Sequence, residues 1–299
     1  MTRLIKALSH LPFPVLYALA AVLRVLAFNV AGYRRKVIER NLGIMFPDAT
    51  AAEKKKIKRD FQRYFAEAAV ETLKGFTMSE EEIRERVHVE NPECLQPYIE
   101  REQSMLILTL HQSNIEWLVG SICMALPCPV AGVYKPLHNP HVDAFIKAGR
   151  ARFGKPVAMK STGREILRLR KSFRAILLAA DQSPISREKR FWHPFFSQQA
   201  PFYYGPQAIA EATQAVVVFV HPRRLSRGRY SIRWEILAEP PHSAGGTEIL
   251  ERFIQACERS IREQPTTWWM SNKKWKTPKD WERQALEDAS DNRATGTGR

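Results

Sequence analysis

LILTLHQSNIEWLVG, residues 106–120, contains two apolar runs separated by a short polar segment that begins at His111. The first run has the length and composition of a buried strand, and the second favours a helix. In an α/β sheet, the residues just beyond the carboxyl end of a strand line the ligand-binding crevice. This interpretation places His111 in that crevice, with the carboxylate of Glu116 five positions later, and makes the stretch the first candidate site.

The rest of the chain alternates between strand-like and helix-like patterns. One helix is predicted after a turn at Pro47-Asp48, with apolar residues at Ile57, Phe61, Tyr64, Phe65 and Ala68. Short apolar segments predict strands at residues 104–110, 129–134, 174–180, 214–220 and 229–237. Helical patterns lie between most of these strands, so we predict an α/β fold with a largely parallel sheet and no internal repeat.

Composition and charge narrow the function classes. With 299 residues and 44% hydrophobic content, the chain can bury a full core and is not disordered. Its formal net charge of +15 indicates an anionic partner, which could be nucleic acid, a phospholipid surface, or an acidic protein or substrate. The four cysteines form no C-x-x-C pair, which is typical of reduced thiols in a cytosol-facing protein.

Residues 11–33, LPFPVLYALAAVLRVLAFNVAGY, are close to the roughly 20 residues that cross a hydrocarbon core. Their one charge is Arg24, which would cost about 2.5 to 3.5 kcal/mol at the centre of a span. Two interpretations therefore remain. The segment crosses the membrane, or it is an amphipathic helix that lies on the membrane or packs in the protein with Arg24 on its solvent side. Arg34, Arg35 and Lys36 favour a cytoplasmic location for the downstream part of the chain, and the absence of a small-x-small cleavage site argues against a signal peptide.

Two interpretations of Glu116 remain open. If Ser113 caps the second helix, Glu116 falls at its third position, and S-x-x-E is a capping box with a purely structural role. Alternatively, Glu116 reaches back to one ring nitrogen of His111 and stabilises its cation, while the other nitrogen takes a proton from a substrate hydroxyl.

Three further segments come after H-x-x-x-x-E in a recognisable order: GVYKPLHNPHVDAFIKAGRARFG (132–154), LLAADQSP (177–184) and FFSQQAPFYYGPQAIAEAT (195–213). Together with the N-terminal apolar segment and the R-R-K, N-L and F-P run of residues 34–47, they resemble the lipid A biosynthesis acyltransferase family of the lysophospholipid-acyltransferase superfamily. The resemblance covers most of the chain.

This resemblance implies a glycerol-3-phosphate-acyltransferase-like mixed sheet flanked by helices, behind an N-terminal membrane-anchoring helix. The implied organisation is an anchor at 1–33, an acyltransferase domain at 34–285 and a flexible tail at 286–299. The implied enzyme, on the cytoplasmic face of the inner membrane, moves an acyl chain from acyl carrier protein to a glycolipid hydroxyl. The implied partners are therefore the carrier, an anionic lipid acceptor and the membrane, with no nucleic acid.

When the family's catalytic residues are matched to this sequence one by one, the resemblance implies that His111 is the general base and Glu116 its partner. Arg150 and Asp181 complete the implied catalytic set. For Arg150 and Asp181, an ordinary ion pair or loop hydrogen bond is the alternative. The expected substrate-binding residues are Asn114, Lys135, Asn139, Arg152 and Gln182. A thioester is already activated, so we expect no cofactor and no metal; His138 and His141 in HNPH are interpreted as loop residues.

Departures from the family pattern leave the acceptor open. The usual H-x-G-N-W-E is here HQSNIEW, Y-R-P is Tyr134-Lys135-Pro136, and the C-terminal run has become WWMSNKKWK. An acceptor other than a lipid A precursor, such as another lipid or a secondary metabolite, therefore remains possible. An acyltransferase-like scaffold without activity is a further alternative. The Trp and Lys residues of WWMSNKKWK would also suit a nucleic-acid binder, and the thirteen Lys and Arg of residues 145–190 would suit docking of an acidic carrier.

Overall fold

The computed structural model describes residues 2–137, 139–184 and 189–276. Within these residues the strands are β1 (Val87–Val89), β2 (Met105–Thr109), β3 (Val130–Tyr134), β4 (Lys155–Ala158), β5 (Ala175–Ala179), β6 (Arg190–Phe195), β7 (Gln198–Tyr203), β8 (Val216–Ser226) and β9 (Arg229–Ala238). Seven of them form one sheet in the order β1-β9-β8-β2-β5-β3-β4, and β6 and β7 form a separate hairpin. All neighbours in the large sheet are parallel except β8 and β9.

Helices cover the sheet. They are α1 (Thr2–Ser9), α2 (Phe13–Arg24), α3 (Arg35–Met45), α4 (Ala51–Gly75), α5 (Glu80–Arg86), α6 (Gln96–Glu100), α7 (Ile115–Ala125), α8 (Pro140–Arg150), α9 (Thr162–Leu169), α10 (Gly205–Thr213) and α11 (Glu248–Glu263). A π-helical segment, Val25–Val30, continues α2. The mixed α/β architecture and the largely parallel sheet predicted from the sequence are confirmed.

The five strands predicted from the sequence correspond to β2, β3, β5, β8 and β9. Four strands were not predicted. Strand β1 has only three residues, β4 contains a proline, and the β6–β7 hairpin carries polar residues and prolines that weaken a strand pattern. These strands form because neighbouring elements pair with them, which local sequence does not reveal.

Strand β2 lies at the centre of the sheet between β5 and β8. Every one of its five residues, MLILT, is buried, because helices cover both faces of the sheet. The parallel register places Thr109 opposite Ala179 of β5. The residues two positions beyond these strand ends, His111 and Asp181, are therefore brought to the same point on the carboxyl edge of the sheet.

Helix α4 supports the N-terminal segment. It begins with a capping box in which Thr50 and Glu53 bond reciprocally, and it buries Phe61 and Tyr64, as the apolar pattern predicted. Leu16 and Ala20 of α2 pack against its Ala66 and Val70. The Tyr17 hydroxyl donates a hydrogen bond of 2.9 Å to the buried Glu71, so α2 is held to α4 by both apolar and polar contacts.

The segment Phe13–Val30 is long and apolar enough to cross a membrane by length and composition. One of its faces is buried against the protein, through Leu16, Ala20 and Phe28. The other face exposes Val15, Leu19, Val22, Leu23, Val25, Leu26 and Val30. The separation of residues 1–33 from the rest of the chain as an anchor stays a prediction. The tail predicted at 286–299, the end of the predicted domain from 277 onward, and His138 lie outside the described residues.

Shortening a leucine side chain to alanine should lower the free energy of unfolding by different amounts on the two faces of α2. Leu16→Ala should lower the free energy of unfolding by about 2 to 5 kcal/mol, because it leaves a cavity against α4. Leu19→Ala is the matched control: Leu19 is 39% exposed, so the change should stay within about 0.5 kcal/mol. Denaturant titration of both variants in mild detergent measures the difference. Equal, small effects would mean that α2 does not pack on α4 in solution.

Candidate active site

His111 and Asp181 form a hydrogen-bonded pair at the carboxyl edge of the sheet. His111 Nδ1 lies 2.6 Å from Asp181 Oδ1, and the backbone N–H of His111 donates to the same oxygen at 2.9 Å. The pairing follows from the register of β2 and β5, because each residue stands two positions beyond the end of its strand. The structure therefore joins two of the four residues expected to be catalytic.

Asp181 is almost fully buried and accepts three N–H groups. The third donor is the indole of Trp268, whose Nε1 lies 2.9 Å from Asp181 Oδ2. Burial alone would raise the pKa of Asp181, but the charge of His111 and the hydrogen bonds from His111 and Trp268 hold it below its usual range. An ionised carboxylate only accepts hydrogen bonds, so Nδ1 of His111 carries a hydrogen, and in the neutral form of the ring the lone pair is on Nε2.

The far side of the His111 ring is open. The side chain is 21% exposed, and Nε2 has no hydrogen-bond partner among the residues that the structure describes. The ring of Trp269 lies beside it, with 5.5 Å between the ring centroids. An imidazole that is oriented by a buried carboxylate and has its second nitrogen open to solvent has the geometry of a general base.

The polar turn after β2 is fixed by a distant part of the chain. The Gln112 amide donates to the carbonyls of Ser260 and Gln264, and Ser113 N–H donates to the Thr267 carbonyl. The Trp269 N–H donates to the His111 carbonyl at 3.0 Å. Ser113 has a φ of 57°, in the left-handed region that a serine adopts only when its surroundings compel it. The segment after α11 therefore holds the turn that carries His111.

The capping box predicted for Ser113 and Glu116 is not formed, because of the conformation of this turn. An N-cap residue needs an extended backbone, which the left-handed Ser113 does not have. Asn114 caps α7 instead, and its Oδ1 accepts from the Trp117 N–H at 3.3 Å. Glu116 is thus the second residue of the helix, not the third.

Glu116, the expected partner of His111, contacts a different residue, and its role in catalysis stays a prediction. The carboxylate of Glu116 binds Arg150 of α8 through both oxygens, at 2.9 Å from Nε and 2.5 Å from Nη2. Burial alone would lower the pKa of Arg150, but this hydrogen bond and the charge of Glu116 raise it above the ordinary value. The nitrogen Nδ1 of His111 is bonded to Asp181, so the site contains two separate pairs, His111–Asp181 and Glu116–Arg150.

The structure gives the expected substrate-binding residues different surroundings. Asn139 caps α8 by accepting from the N–H groups of His141 and Val142. Arg152 donates to carbonyls at the end of α4, those of Gly75, Phe76 and Met78. Lys135 is exposed in the loop after β3, and Gln182 is half-buried next to Asp181. The contacts of Asn114, Asn139 and Arg152 favour structural roles, and substrate binding by all five residues stays a prediction.

The segment WWMSNKKWK contributes to the site in a way the sequence did not reveal. Trp268, Trp275 and Lys274 are buried, and the Lys274 ammonium donates to the Pro201 carbonyl at 2.7 Å over the Phe202 ring. Burial lowers the pKa of Lys274 to about 7. The indoles of Trp268 and Trp275 lie inside the protein and cannot stack on bases, whereas Trp269 is half-buried. The absence of a nucleic-acid partner stays a prediction.

No group of three His, Cys, Asp or Glu side chains within the described ranges is arranged to hold a metal ion. The expectation of a reaction without metal or cofactor stays a prediction. All four cysteines are free thiols, three of them buried.

Comparison with known proteins identifies a family whose members this chain resembles over most of its length. Residues 2–277 match the family described as bacterial lipid A biosynthesis acyltransferase. The chain is 24% identical over 273 residues to a lipid A biosynthesis lauroyltransferase of Escherichia coli K12, a match that covers 90% of this chain and 87% of that protein. It is 23% identical to a palmitoleoyltransferase of the same organism, with the same coverage. A lipid A biosynthesis acyltransferase of Haemophilus influenzae is 24% identical, over 95% of this chain and 91% of that protein.

The buried carboxylate predicts how stability depends on pH. Folding lowers the pKa of Asp181, so its charge contributes stability above its unfolded pKa of about 3.9, and this contribution is lost as pH falls through the folded value. Asp181→Asn should cost about 1 to 3 kcal/mol at neutral pH, because an NH2 group replaces one of the two acceptor oxygens and faces at least one of the three donors. The difference from wild type should shrink as pH falls below about 4. Denaturant unfolding at several pH values tests this, and a difference independent of pH would contradict it.

Proposed function

The chain belongs to the bacterial lipid A biosynthesis acyltransferase family, and on this premise we propose that it transfers a fatty acyl chain from an acyl carrier protein thioester to a hydroxyl of a lipid A precursor. The observation that carries the proposal is the His111–Asp181 pair, which leaves Nε2 free at the edge of the sheet. A thioester is already activated, so the site needs a base and an oxyanion stabiliser, and no covalent nucleophile.

The reaction follows from the tautomer of His111. Nε2 takes the proton of the acceptor hydroxyl as its oxygen attacks the thioester carbonyl. The imidazolium that forms is stabilised by Asp181, whose charge is preserved by its three donors. When the tetrahedral intermediate collapses, the C–S bond breaks and the imidazolium returns its proton to the departing thiolate.

The start of α7 is suited to the charge that develops on the carbonyl oxygen. The N–H groups of Ile115 and Glu116 have no acceptor among the described residues, whereas the Trp117 N–H is taken by the cap. Free N–H groups and the helix dipole stabilise an oxyanion there. Arg150 flanks the same helix turn over the Tyr134 ring, and we assign it to the phosphate of the acceptor or to the oxyanion, with Glu116 fixing its orientation.

The apolar face of Phe13–Val30 supports a location at the membrane, where the acceptor lipid resides. Tyr17, Leu16 and Phe28 hold the segment along the protein. We therefore propose that it lies in the interface of the inner membrane on the cytoplasmic side, since a span would break these contacts. Exposed cations of residues 145–190, among them Lys147, Lys160 and Arg164, are proposed to dock the acidic carrier.

Acyl transfer by the purified protein is the direct test. In detergent, with acyl carrier protein as donor and a lipid A precursor as acceptor, mass spectrometry should find one added acyl mass. His111→Ala should lower kcat by about 10² to 10⁴-fold, because the general base is lost. Asp181→Asn should also lower kcat by at least about 10²-fold, because the tautomer is no longer enforced.

Two tryptophans provide the matched control for this test. Trp268→Phe removes the hydrogen bond to Asp181, whereas Trp275→Phe changes an indole of similar burial whose N–H has no acceptor within the described residues. The first should lower kcat more than the second at equal thermal stability. Near-wild-type turnover by His111→Ala, or losses that merely track the melting temperature, would contradict the proposed chemistry.

The Glu116–Arg150 pair gives an independent prediction. If Glu116 acts through Arg150, then Glu116→Gln, Arg150→Gln and the double variant should have similar kcat, and the effects should not add. If Glu116 instead assists His111, then Glu116→Gln should lower kcat as much as Asp181→Asn does. Steady-state kinetics of the three variants distinguishes the two roles.

A further inference from the structure

A basic cleft lies between the end of the N-terminal apolar segment and the first turns of α3 and α4. Its volume is about 700 Å³, within the range of small-molecule sites. Six cationic side chains line it: Arg24, Arg35, Lys55, Lys56, Lys58 and Arg59. None of them belongs to the set that surrounds His111.

The charge of this cleft is only partly balanced. Glu39 pairs with Arg35 and Lys58, and Asp60 pairs with Lys56 and Arg59, so each carboxylate is shared by two cations. Arg24 and Lys55 form no salt bridge with any residue that the structure describes. Like charges gathered in one cleft repel one another, and a bound anion would relieve this repulsion.

Exposed apolar side chains lie on the helical segment that contributes Arg24 and Phe28 to the cleft. Val22, Leu23, Leu26 and Val30, on the same helical segment as Arg24, are between 48% and 74% exposed. Arg24 departs from this surface and turns into the cleft, whose wall includes the rings of Phe28 and Tyr33. Exposed aliphatic groups beside aromatic rings and cations are the composition of a surface that lies in the headgroup region of a bilayer.

We propose that this cleft binds the phosphodiester headgroup of an anionic phospholipid and so holds the N-terminal segment in the membrane interface. An acidic carrier protein fits less well, because a helix is about 10 to 12 Å across with its side chains, and because its polar surface would leave the exposed aliphatic residues of the same segment uncovered. The proposal concerns membrane binding and does not rest on the proposed acyl transfer.

Headgroup binding at this place would also orient the active site. Phe28 contacts Phe65, with 5.8 Å between ring centroids, and Phe65 contacts Trp269 at 6.3 Å. Trp269 in turn lies beside His111. This row of rings connects the wall of the cleft to the ring beside His111, so a headgroup bound in the cleft would hold the bilayer near the proposed base.

Vesicle binding of the full-length protein tests the proposal. Arg24→Gln/Lys55→Gln should lower partitioning onto mixed phosphatidylcholine–phosphatidylglycerol vesicles by at least about 10-fold, since each cation at an anionic surface contributes about 5-fold. Binding to pure phosphatidylcholine should be unchanged. The matched control for the single change Lys55→Gln is Arg101→Gln, which removes one exposed cation near the amino end of β2 and should change partitioning by less than about 2-fold.

Three results would overturn the proposal. If Lys55→Gln and its control lowered vesicle partitioning equally, the net charge of the protein and not the cleft would explain the loss. A weaker affinity for acyl carrier protein, with vesicle binding intact, would make the cleft a protein-docking site. A raised KM for the acceptor in neutral detergent micelles, again with vesicle binding intact, would assign the cleft to the acceptor's phosphate. Lys55→Gln alone, at an exposed residue without an ion pair, keeps the test valid if Arg24→Gln impairs folding, and about a 5-fold loss is then expected.

Discussion

The buried carboxylate of Asp181 connects three parts of the chain that are far apart in sequence. It accepts hydrogen bonds from the residue after β2 and from the indole of Trp268, and it stands itself just beyond β5. An unpaired carboxylate in this position would be strongly destabilising, so its three donors must all be present once it is buried. The same requirement fixes His111, because the ring that satisfies Asp181 through Nδ1 must direct Nε2 outward. The hydrogen bond between His111 and Asp181 thus stabilises the edge of the sheet and also orients the His111 ring for the proposed proton transfer.

The sequence predicted the central strands and the position of His111 because these depend on local properties. A continuous apolar run indicates a strand that is covered on both faces, and the polar residues after it mark the open edge of the sheet. The partner of His111 was not predictable in the same way. Asp181 comes after a strand that was itself predicted, but its contact with His111 requires β2 and β5 to be neighbours with Thr109 opposite Ala179. Strand order is a property of the whole sheet.

The two interpretations of Glu116 had the same origin, and neither predicted the contact with Arg150 that the structure shows. Spacing along a helix suggested either a cap or a contact with His111, because only nearby residues could be considered. Ser113 is forced into a left-handed conformation by a segment some 150 residues away, and Arg150 arrives from α8. The importance of Trp268 was missed for a related reason: a basic, aromatic composition favours a surface, whereas the long-range packing of Trp268 against Phe195 and Trp275 buries it.

Arg24 is unfavourable in a helix that spans the membrane but is suited to a helix that lies in the headgroup region. Its charge counts against a helix that crosses the hydrocarbon core, which is a statement about depth in the bilayer. In the structure, one face of the segment packs on α4, its other face is apolar and exposed, and Arg24 lines the basic cleft between them. A helix with this arrangement can be apolar enough for a membrane while its single charge stays at the headgroup level, where long cationic side chains extend toward phosphate. The composition that makes a span unfavourable is therefore the composition that an interfacial helix requires. The row of rings from Phe28 to Trp269 connects this helix to His111, so a bilayer bound at the proposed cleft would lie near the proposed base.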